Sequence, residues 1–229
     1  MLSSAPVPRL RYRLVVFDWD GTLVDSIASI VACTLAAIAD VPGIAAPPAE
    51  QIRESIGLGL AETMTRHFPG GDAELFEQVA QAYRLRWRAE HTRSSTLIEG
   101  ARATLERLRA EGCRIGVATA KGRAGLEREL DQTGLRALVD ASRTVDEAPS
   151  KPAPGMLLGL FEELGVAPGD ALMVGDTRWD LEMASNAGCA AVAVLSGAQT
   201  RPLLEAAGPL VCLGSVAELP GWLGLEPAR

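Results

Sequence analysis

The chain is poor in lysine, cysteine and aromatic residues, and these shortages narrow its possible functions. Only two of its 22 lysine and arginine residues are lysines, and the net charge is −7. An acidic chain of this kind offers no basic surface for a nucleic-acid backbone, so we expect no nucleic-acid partner. The cysteines are too scattered for a metal or disulfide motif, which favours free thiols in a reducing compartment. They are Cys33, Cys113, Cys189 and Cys212.

Long apolar runs are also missing. No run approaches the ~20 residues that a membrane-spanning helix needs, and residues 1–13 lack the apolar stretch of a secretory signal. The expectation is therefore a cytoplasmic protein without a membrane partner. Hydrophobic residues nevertheless make up 48% of the sequence, enough for a sizeable core in one domain carrying a smaller insertion.

From residue 97 onward, predicted helices alternate with short apolar strands. Each of four helices ends at a glycine, the residue that most readily closes a helix. The helices cover residues 101–111, 124–133, 154–164 and 179–187, and the strands that follow them cover residues 114–119, 137–141, 171–174 and 190–195. An edge strand is expected within residues 209–213. This alternation predicts an α/β fold with a Rossmann-like, mostly parallel sheet and helices on both faces.

The segment before residue 97 contains helices and turns but no predicted strand. Apolar spacing predicts helices over residues 26–40, 49–56, 60–68 and 72–92. Ser26 is expected to cap the first of them. A first strand over residues 11–17 belongs with the later sheet. The sequence thus indicates a core domain of residues 1–25 and 97–229, interrupted by an all-helical cap domain of residues 26–96 that would cover the edge of the sheet as a lid.

Asp18 and Asp20 directly follow the apolar run of the first strand. In open α/β sheets, ligands bind outside the carboxyl ends of the strands, where these two side chains would lie. Other strand ends and loops are expected to bring further residues to this edge: Thr119, Ala120, Lys151, Asp176 and Asp180.

Clustered carboxylates repel one another unless they share a cation or take up a proton. An all-oxygen site of this kind suits Mg²⁺. The ammonium group of Lys151, the hydroxyl group of Thr119 and the loop of Gly21 and Thr22 can hold an anion beside the cation. A cation, an anion site and a free carboxylate are what phosphoryl transfer requires.

Four short motifs carry a resemblance to a known family. Asp-x-Asp-Gly-Thr-Leu-x-Asp-Ser begins at Asp18, and Thr119, Lys151-Pro152 and Gly-Asp-x-x-x-Asp from Gly175 follow in order. Together they resemble the haloacid dehalogenase-like superfamily of Mg²⁺-dependent phosphatases, and the helical insertion is similar to the cap of its phosphoglycolate phosphatase-like branch. The resemblance implies a phosphoric monoester hydrolase acting on a small phosphorylated metabolite, such as phosphoglycolate or a sugar phosphate.

The resemblance also implies roles for individual residues. Asp18 would be the nucleophile that forms an aspartyl-phosphate, Asp20 the general acid and base, and Lys151 the group that restrains Asp18 and binds phosphate. Further phosphate-binding residues would be Gly21, Thr22, Thr119 and Ala120. The Mg²⁺ ligands would be Asp18, the backbone carbonyl of Asp20, Asp176 and, through a water molecule, Asp180.

Three residues in or beside these motifs, Trp19, Ala120 and Lys121, lead to further expectations. Trp19 stands between the two aspartates, where smaller apolar residues are common in the family, and its ring is expected in the core or under the cap. Ala120 replaces a frequent asparagine, which removes one amide from the loop. Lys121 is expected at the surface or against the cap.

Other activities share this scaffold. A dehalogenase needs neither a metal nor the carboxylates of Asp20 and Asp176, and a phosphonate hydrolase needs a cap lysine, which residues 27–95 lack. A phosphomutase uses the same core and stays an alternative, as does, more remotely, a non-catalytic binding module. The sequence leaves monomer and homodimer open.

Overall fold

The computed structural model describes residues 11–90 and 95–225. The predicted lead-in over residues 1–10 and the predicted end of the fourth helix at Thr92 lie outside these ranges. The strands are β1 (Leu14–Phe17), β2 (Arg114–Thr119), β3 (Ala141–Thr144), β4 (Ala171–Gly175), β5 (Ala190–Val194) and β6 (Cys212–Leu213). They form one sheet in the order β3-β2-β1-β4-β5-β6, and every paired neighbour is parallel.

Helices connect these strands. Those between β1 and β2 are α1 (Ile27–Ala39), α2 (Ala49–Ser55), α3 (Leu60–His67), α4 (Ala73–Glu90) and α5 (Ala101–Ala110). Those after β2 are α6 (Arg123–Thr133), α7 (Gly155–Leu164), α8 (Arg178–Ala187), α9 (Arg201–Ala206) and α10 (Leu219–Trp222). In the described ranges, no helix is both long and apolar enough to cross a bilayer. The predicted α/β fold is confirmed.

Strand β1 is buried on both faces because it lies at the centre of the sheet. Its residues alternate between two apolar clusters: Val15 and Phe17 belong to one, and Leu14 and Val16 to the other. Buried side chains of α5 and α6 fill the first cluster, and those of α7 and α8 fill the second. The sheet therefore has helices on both faces, and β1 delivers its carboxyl end to the middle of one edge.

Helices α1 to α4 have a small apolar core of their own. It contains Ile38 from α1, Ile52 from α2, Met64 from α3 and Val79 from α4, all nearly inaccessible to solvent. This segment follows β1 directly in the chain and lies over the edge of the sheet that holds the carboxyl end of β1. The boundaries between residues 25 and 26 and between residues 96 and 97 stay predictions.

Polar contacts join these helices to the sheet domain. The Arg53 guanidinium on α2 donates to the backbone oxygens of Gly197 and Ala198 at 2.7 and 2.9 Å. The backbone N–H of Gly59 donates to the Ser150 hydroxyl at 2.7 Å. Both contacts lie near the carboxyl ends of the strands, so the helical segment closes over this edge.

One predicted strand is wrong in position. Residues 136–138 form a 3₁₀ turn, and β3 begins only at Ala141. The Arg136 guanidinium binds the backbone oxygen of Glu127 and the carboxylate of Asp131, which fastens the turn to α6. Since β3 reads Ala-Ser-Arg-Thr, it has no apolar run by which the sequence could have located it.

Two other local predictions need correction. The first strand is shorter than residues 11–17 and starts at Leu14. Ser26 precedes α1, but its side chain does not cap the helix. The hydroxyl group donates instead to Asp20 Oδ1 at 2.7 Å. A residue expected to serve the helix thus holds a predicted catalytic side chain.

Leu105 and Leu158 allow a matched test of where the core lies. Leu105 on α5 is fully buried, whereas Leu158 on α7 is 47% exposed. Leu105→Ala should lower the free energy of unfolding by about 2–5 kcal/mol because it empties packed space. Leu158→Ala should change it by no more than about 0.5 kcal/mol. Urea unfolding followed by circular dichroism measures both, and equal losses would contradict this packing.

Candidate active site

Asp18 lies at the carboxyl end of β1 and is 3% exposed. Its backbone N–H donates to the Val174 oxygen of β4 at 2.9 Å, which continues the sheet to the edge of the site. Its Oδ1 lies 2.6 Å from Lys151 Nζ. Lys151 is itself 1% exposed and also lies 2.6 Å from Asp180 Oδ1. One buried ammonium group therefore bridges two buried carboxylates.

Asp180 is fixed by the start of α8. Its Oδ2 accepts hydrogen bonds from the backbone N–H of Thr177 at 3.1 Å and from the Thr177 hydroxyl at 2.7 Å. This is a capping box, in which the residue before the helix and the third residue inside it satisfy each other. Because Lys151 takes the other oxygen, Asp180 has partners on both oxygens.

Asp176 follows β4 and is completely buried. Its Oδ1 accepts from the Thr22 hydroxyl at 2.9 Å, and its Oδ2 accepts from the backbone N–H of Ala198 at 2.7 Å. Gly197 allows this close approach, since a Cβ at that position would lie 2.0 Å from Asp176 Oδ2. Gly21, at φ +86°, is similarly constrained, with a Cβ 2.5 Å from the same atom.

Asp18, Asp176 and Asp180 form one acidic group whose possible ligand atoms all lie within 4.8 Å of one another. Burial, reinforced by the charges of Asp180 and Asp176, raises the pKa of Asp18 well above its usual range, although Lys151 opposes the shift. Burial and the charge of Asp180 raise the pKa of Asp176 to about 7, against the hydrogen bonds from Ala198 and Thr22. Three carboxylates facing one ammonium group leave negative charge that a divalent cation would balance, so these residues fit Mg²⁺.

The Asp20 carboxylate does not belong to that acidic group. Its Oδ1 accepts from the Ser26 hydroxyl and lies 3.3 Å from Lys121 Nζ. The ligand predicted at this position is the backbone carbonyl, and the carboxylate is turned toward the cleft and the helical segment. Asp18 and Asp20 therefore have separate surroundings although one residue divides them.

Apart from Lys151, the residues predicted to bind phosphate divide into two sets. Thr119 and Ala120 line the cleft with Asp18, and the Thr119 hydroxyl accepts from the backbone N–H of Lys121 at 3.1 Å. Gly21 and Thr22 instead contact Asp176, and the Gly21 N–H donates to the backbone of its own turn. Gly21 and Thr22 therefore pack against the acidic group on the side away from the cleft.

A cleft of about 680 Å³ leads to Asp18 and Asp20. One side is formed by residues 57–63, which comprise the turn before α3 and the first turn of α3, and by α4; the other is formed by the loops after β2 and β3. Its volume suits a small molecule. Asp176, Asp180 and Lys151 lie beneath its floor, so a ligand would reach Asp18 with the acidic group directly behind.

Sequence reasoning missed the surroundings of Lys121. This side chain is only 10% exposed, pairs with Glu129 Oε1 at 3.0 Å and lies 4.6 Å from the centre of the Trp87 ring. The expected contact with the helical segment is present, but a surface position is wrong. Trp19 is buried in the core, and its Nε1–H donates to Glu129 Oε2 at 2.7 Å. The sequence feature that could have revealed these buried contacts is Glu129, a carboxylate on the apolar stripe formed by Leu126 and Leu130.

A doubly wound parallel sheet whose edge carries a buried carboxylate at a cleft, an ammonium group and an acidic group that fits a cation has the parts of an α/β enzyme of phosphoryl transfer. The sequence model of the haloacid dehalogenase-like hydrolase family matches residues 15–194, and the chain belongs to this family. The predicted phosphoglycolate phosphatase-like branch and the predicted class, a phosphoric monoester hydrolase, are confirmed.

Curated relatives match over most of their length. Pyrophosphatase PpaX of Bacillus velezensis is 32% identical over 85% of this chain and 90% of its own. A phosphoglycolate phosphatase of Rhodospirillum rubrum is 30% identical over 93% and 91%. The crystal structure of a hydrolase from Pseudomonas syringae superposes with a TM-score of 0.84 at 25% identity, covering 93% of this chain and 98% of that one.

Gly197 and Gly169 offer a test of the packing around Asp176. Gly197→Ala places a methyl group 2.0 Å from Asp176 Oδ2, whereas the same change at Gly169 meets nothing within 4 Å. We expect Gly197→Ala to lower phosphatase activity at least about tenfold, since small misplacements of catalytic groups cost this much or more. Gly169→Ala should leave activity unchanged. Steady-state assays with Mg²⁺ measure both, and an active Gly197→Ala variant would contradict the tight packing.

The raised pKa values of Asp18 and Asp176 predict how stability depends on pH. An unfolded aspartate has a pKa of about 3.9, below the folded values, so the folded metal-free protein binds more protons than the unfolded chain between these limits. These two groups should therefore raise the free energy of unfolding as the pH falls from about 7.5 to about 5, against an opposite contribution from His67, whose pKa is lowered by burial. Added Mg²⁺ should raise the Tm most at the upper end, since protons compete with the cation.

Thermal unfolding in EDTA and in excess Mg²⁺ across this interval measures the effect. A Tm in EDTA that decreases steadily on acidification, with the same Mg²⁺ increment at each pH, would show that these carboxyls do not carry the proton uptake.

Proposed function

We propose that this protein is a Mg²⁺-dependent phosphatase that hydrolyses a small phosphorylated metabolite through an aspartyl-phosphate on Asp18. The observation that carries the proposal is the position of Asp18. Its carboxylate opens onto a cleft of about 680 Å³ while its other side meets Lys151 and the acidic group. A surface carboxylate would have neither the cleft nor the buried charges.

Two displacements complete the proposed reaction. Asp18 attacks the phosphorus atom, the bond to the leaving oxygen breaks, and Asp20 gives that oxygen a proton. Asp20 then takes a proton from a water molecule that attacks the aspartyl-phosphate, which releases phosphate and restores Asp18. The placement of Asp20 on the cleft, apart from the acidic group, supports this division of work.

The surrounding residues would hold charge and exclude water. Lys151 keeps Asp18 oriented and offers positive charge to the transferring group, and Thr119 can donate its hydroxyl to a phosphoryl oxygen. Mg²⁺, held by Asp18, the backbone carbonyl of Asp20 and Asp176, would supply positive charge to the phosphoryl oxygens. Asp180 would act through Lys151 or a water, since both its oxygens have partners.

The helical segment would act as the cap of the cleft. Residues 57–63 and α4 line the cleft opposite the sheet, so they are placed to select the substrate and to exclude solvent. The names of the relatives make 2-phosphoglycolate and pyrophosphate the first compounds to test. The cytoplasmic location and the monomeric or homodimeric state stay predictions.

A substrate screen with p-nitrophenyl phosphate, 2-phosphoglycolate, sugar phosphates and pyrophosphate, in Mg²⁺ and in EDTA, tests the proposal. We expect phosphate release in Mg²⁺ and none in EDTA. Asp18→Asn removes the nucleophilic oxygen while keeping the shape of the side chain, and should lower kcat by at least about 10³-fold. Its Tm should confirm that it folds.

Two results would contradict the proposal. Full activity of Asp18→Asn would exclude this residue as the nucleophile. A product that keeps its phosphate on another carbon would show the phosphomutase alternative, and wild-type protein inert on the whole panel would favour a binding module.

A further inference from the structure

Lys121 and Glu129 form a buried pair beside the cleft that the proposed mechanism does not use. Lys121 follows β2, and Glu129 lies on the buried side of α6 with 1% exposure. Lys121 Nζ lies 3.0 Å from Glu129 Oε1 and 3.3 Å from Asp20 Oδ1. One ammonium group thus connects the proposed acid–base residue to a carboxylate in the core.

Glu129 is itself held on its second oxygen. Trp19, fully buried, donates its indole N–H to Glu129 Oε2 at 2.7 Å. Rotating Glu129 away would leave a buried donor and a buried charge unpaired, which is unfavourable. Lys121 therefore has a fixed counter-ion.

Lys121 is also covered from above. The ring of Trp87 on α4 lies 4.6 Å from Lys121 Nζ, within cation–π distance. Burial would lower the pKa of Lys121, but Asp20 and Glu129 outweigh it and hold that pKa above its ordinary value. The ammonium group is charged at neutral pH, and its position is set by contacts from the sheet domain and from the helical segment.

The contacts of Asp20 leave one oxygen for chemistry. The Ser26 hydroxyl donates to Oδ1 at 2.7 Å, and the Lys121 ammonium lies 3.3 Å from the same oxygen. Two contacts on one oxygen restrain the carboxylate, and since Asp20 lines the cleft, its other oxygen is the one left for proton transfer. We infer that Lys121 is a positioning residue that orients Asp20 for proton transfer to the leaving group, with Glu129 and Trp19 as its anchor.

This inference rests on the proposed acid–base role of Asp20, and it predicts an effect that depends on the leaving group. An alkoxide needs a proton as its bond to phosphorus breaks, whereas p-nitrophenolate leaves well without one. Lys121→Met keeps most of the length of the side chain and removes the charge. Its kcat/KM, which reports the steps up to departure of the leaving group and not the later hydrolysis of the aspartyl-phosphate, should fall at least about tenfold more on an alkyl phosphate than on p-nitrophenyl phosphate, within the range for general acid catalysis.

The experiment compares kcat/KM on p-nitrophenyl phosphate with kcat/KM on the alkyl phosphate that the wild-type enzyme hydrolyses best, both in saturating Mg²⁺. Lys121→Arg should restore most of the loss, since it returns the charge. Glu129→Gln should shift the ratio of the two rates in the same direction. Glu127→Gln is the matched control, because Glu127 lies on the same helix but pairs with Arg123 and Arg136 at the surface; its ratio should equal that of the wild type.

The results separate the inference from the proposed function on which it rests. If Asp20→Asn lowers the alkyl rate selectively but Lys121→Met and Glu129→Gln lower both rates equally, Lys121 has only a structural role and the inference is wrong. If Asp20→Asn itself shows no selectivity in kcat/KM, the general-acid role of Asp20 fails first. A Tm for each variant identifies any that does not fold, and Glu129→Gln then carries the test in place of Lys121→Met.

Discussion

The site depends on one buried ion pair with two acceptors. Lys151 Nζ lies 2.6 Å from both Asp18 and Asp180, and all three side chains are almost inaccessible. Removing one partner from such a group leaves a buried charge without compensation, so the three side chains hold one another in place. Asp176 adds a further carboxylate, and the group therefore has more negative charge than its own lysine can balance, which either protons or a cation must meet. An arrangement that served stability alone would not retain this excess, which is why the group reads as a cation site.

The sheet topology explains how these residues meet. β1 lies between β2 and β4, so Asp18 is flanked by the strand ends that lead to Thr119 and to Asp176. Parallel strands all present their carboxyl ends at one edge, and short loops cannot carry the side chains away from it. The helical segment is inserted at the same place, directly after β1. The cleft consequently forms between the sheet domain and the helical segment, which join in the turn that follows β1.

The sequence predicted the parts of this structure that depend on local pattern. The strand before Asp18, the helices with apolar stripes and the order of the motifs follow from spacing and chain order. β3 was misplaced because its four residues carry no apolar run, and its register is set by pairing with β2. The roles of Ser26 and Lys121 were missed for a related reason. Each depends on a partner distant in space, and a hydroxyl or ammonium group carries no sign of which partner it will meet.

The pairing of Trp19 with Glu129 shows what such a hidden contact implies. An apolar pair of similar volume would fill the same space without the cost of burying a carboxylate, so core packing alone gives no reason for an acid among Leu126 and Leu130. Glu129 is explained once its other oxygen is followed to Lys121 and from there to Asp20. The buried carboxylate of Glu129 on α6 is therefore explained by its contact with Lys121, which in turn contacts Asp20 at the cleft. A polar residue on an otherwise apolar stripe is, in this fold, evidence about the chemistry at the adjoining edge of the sheet.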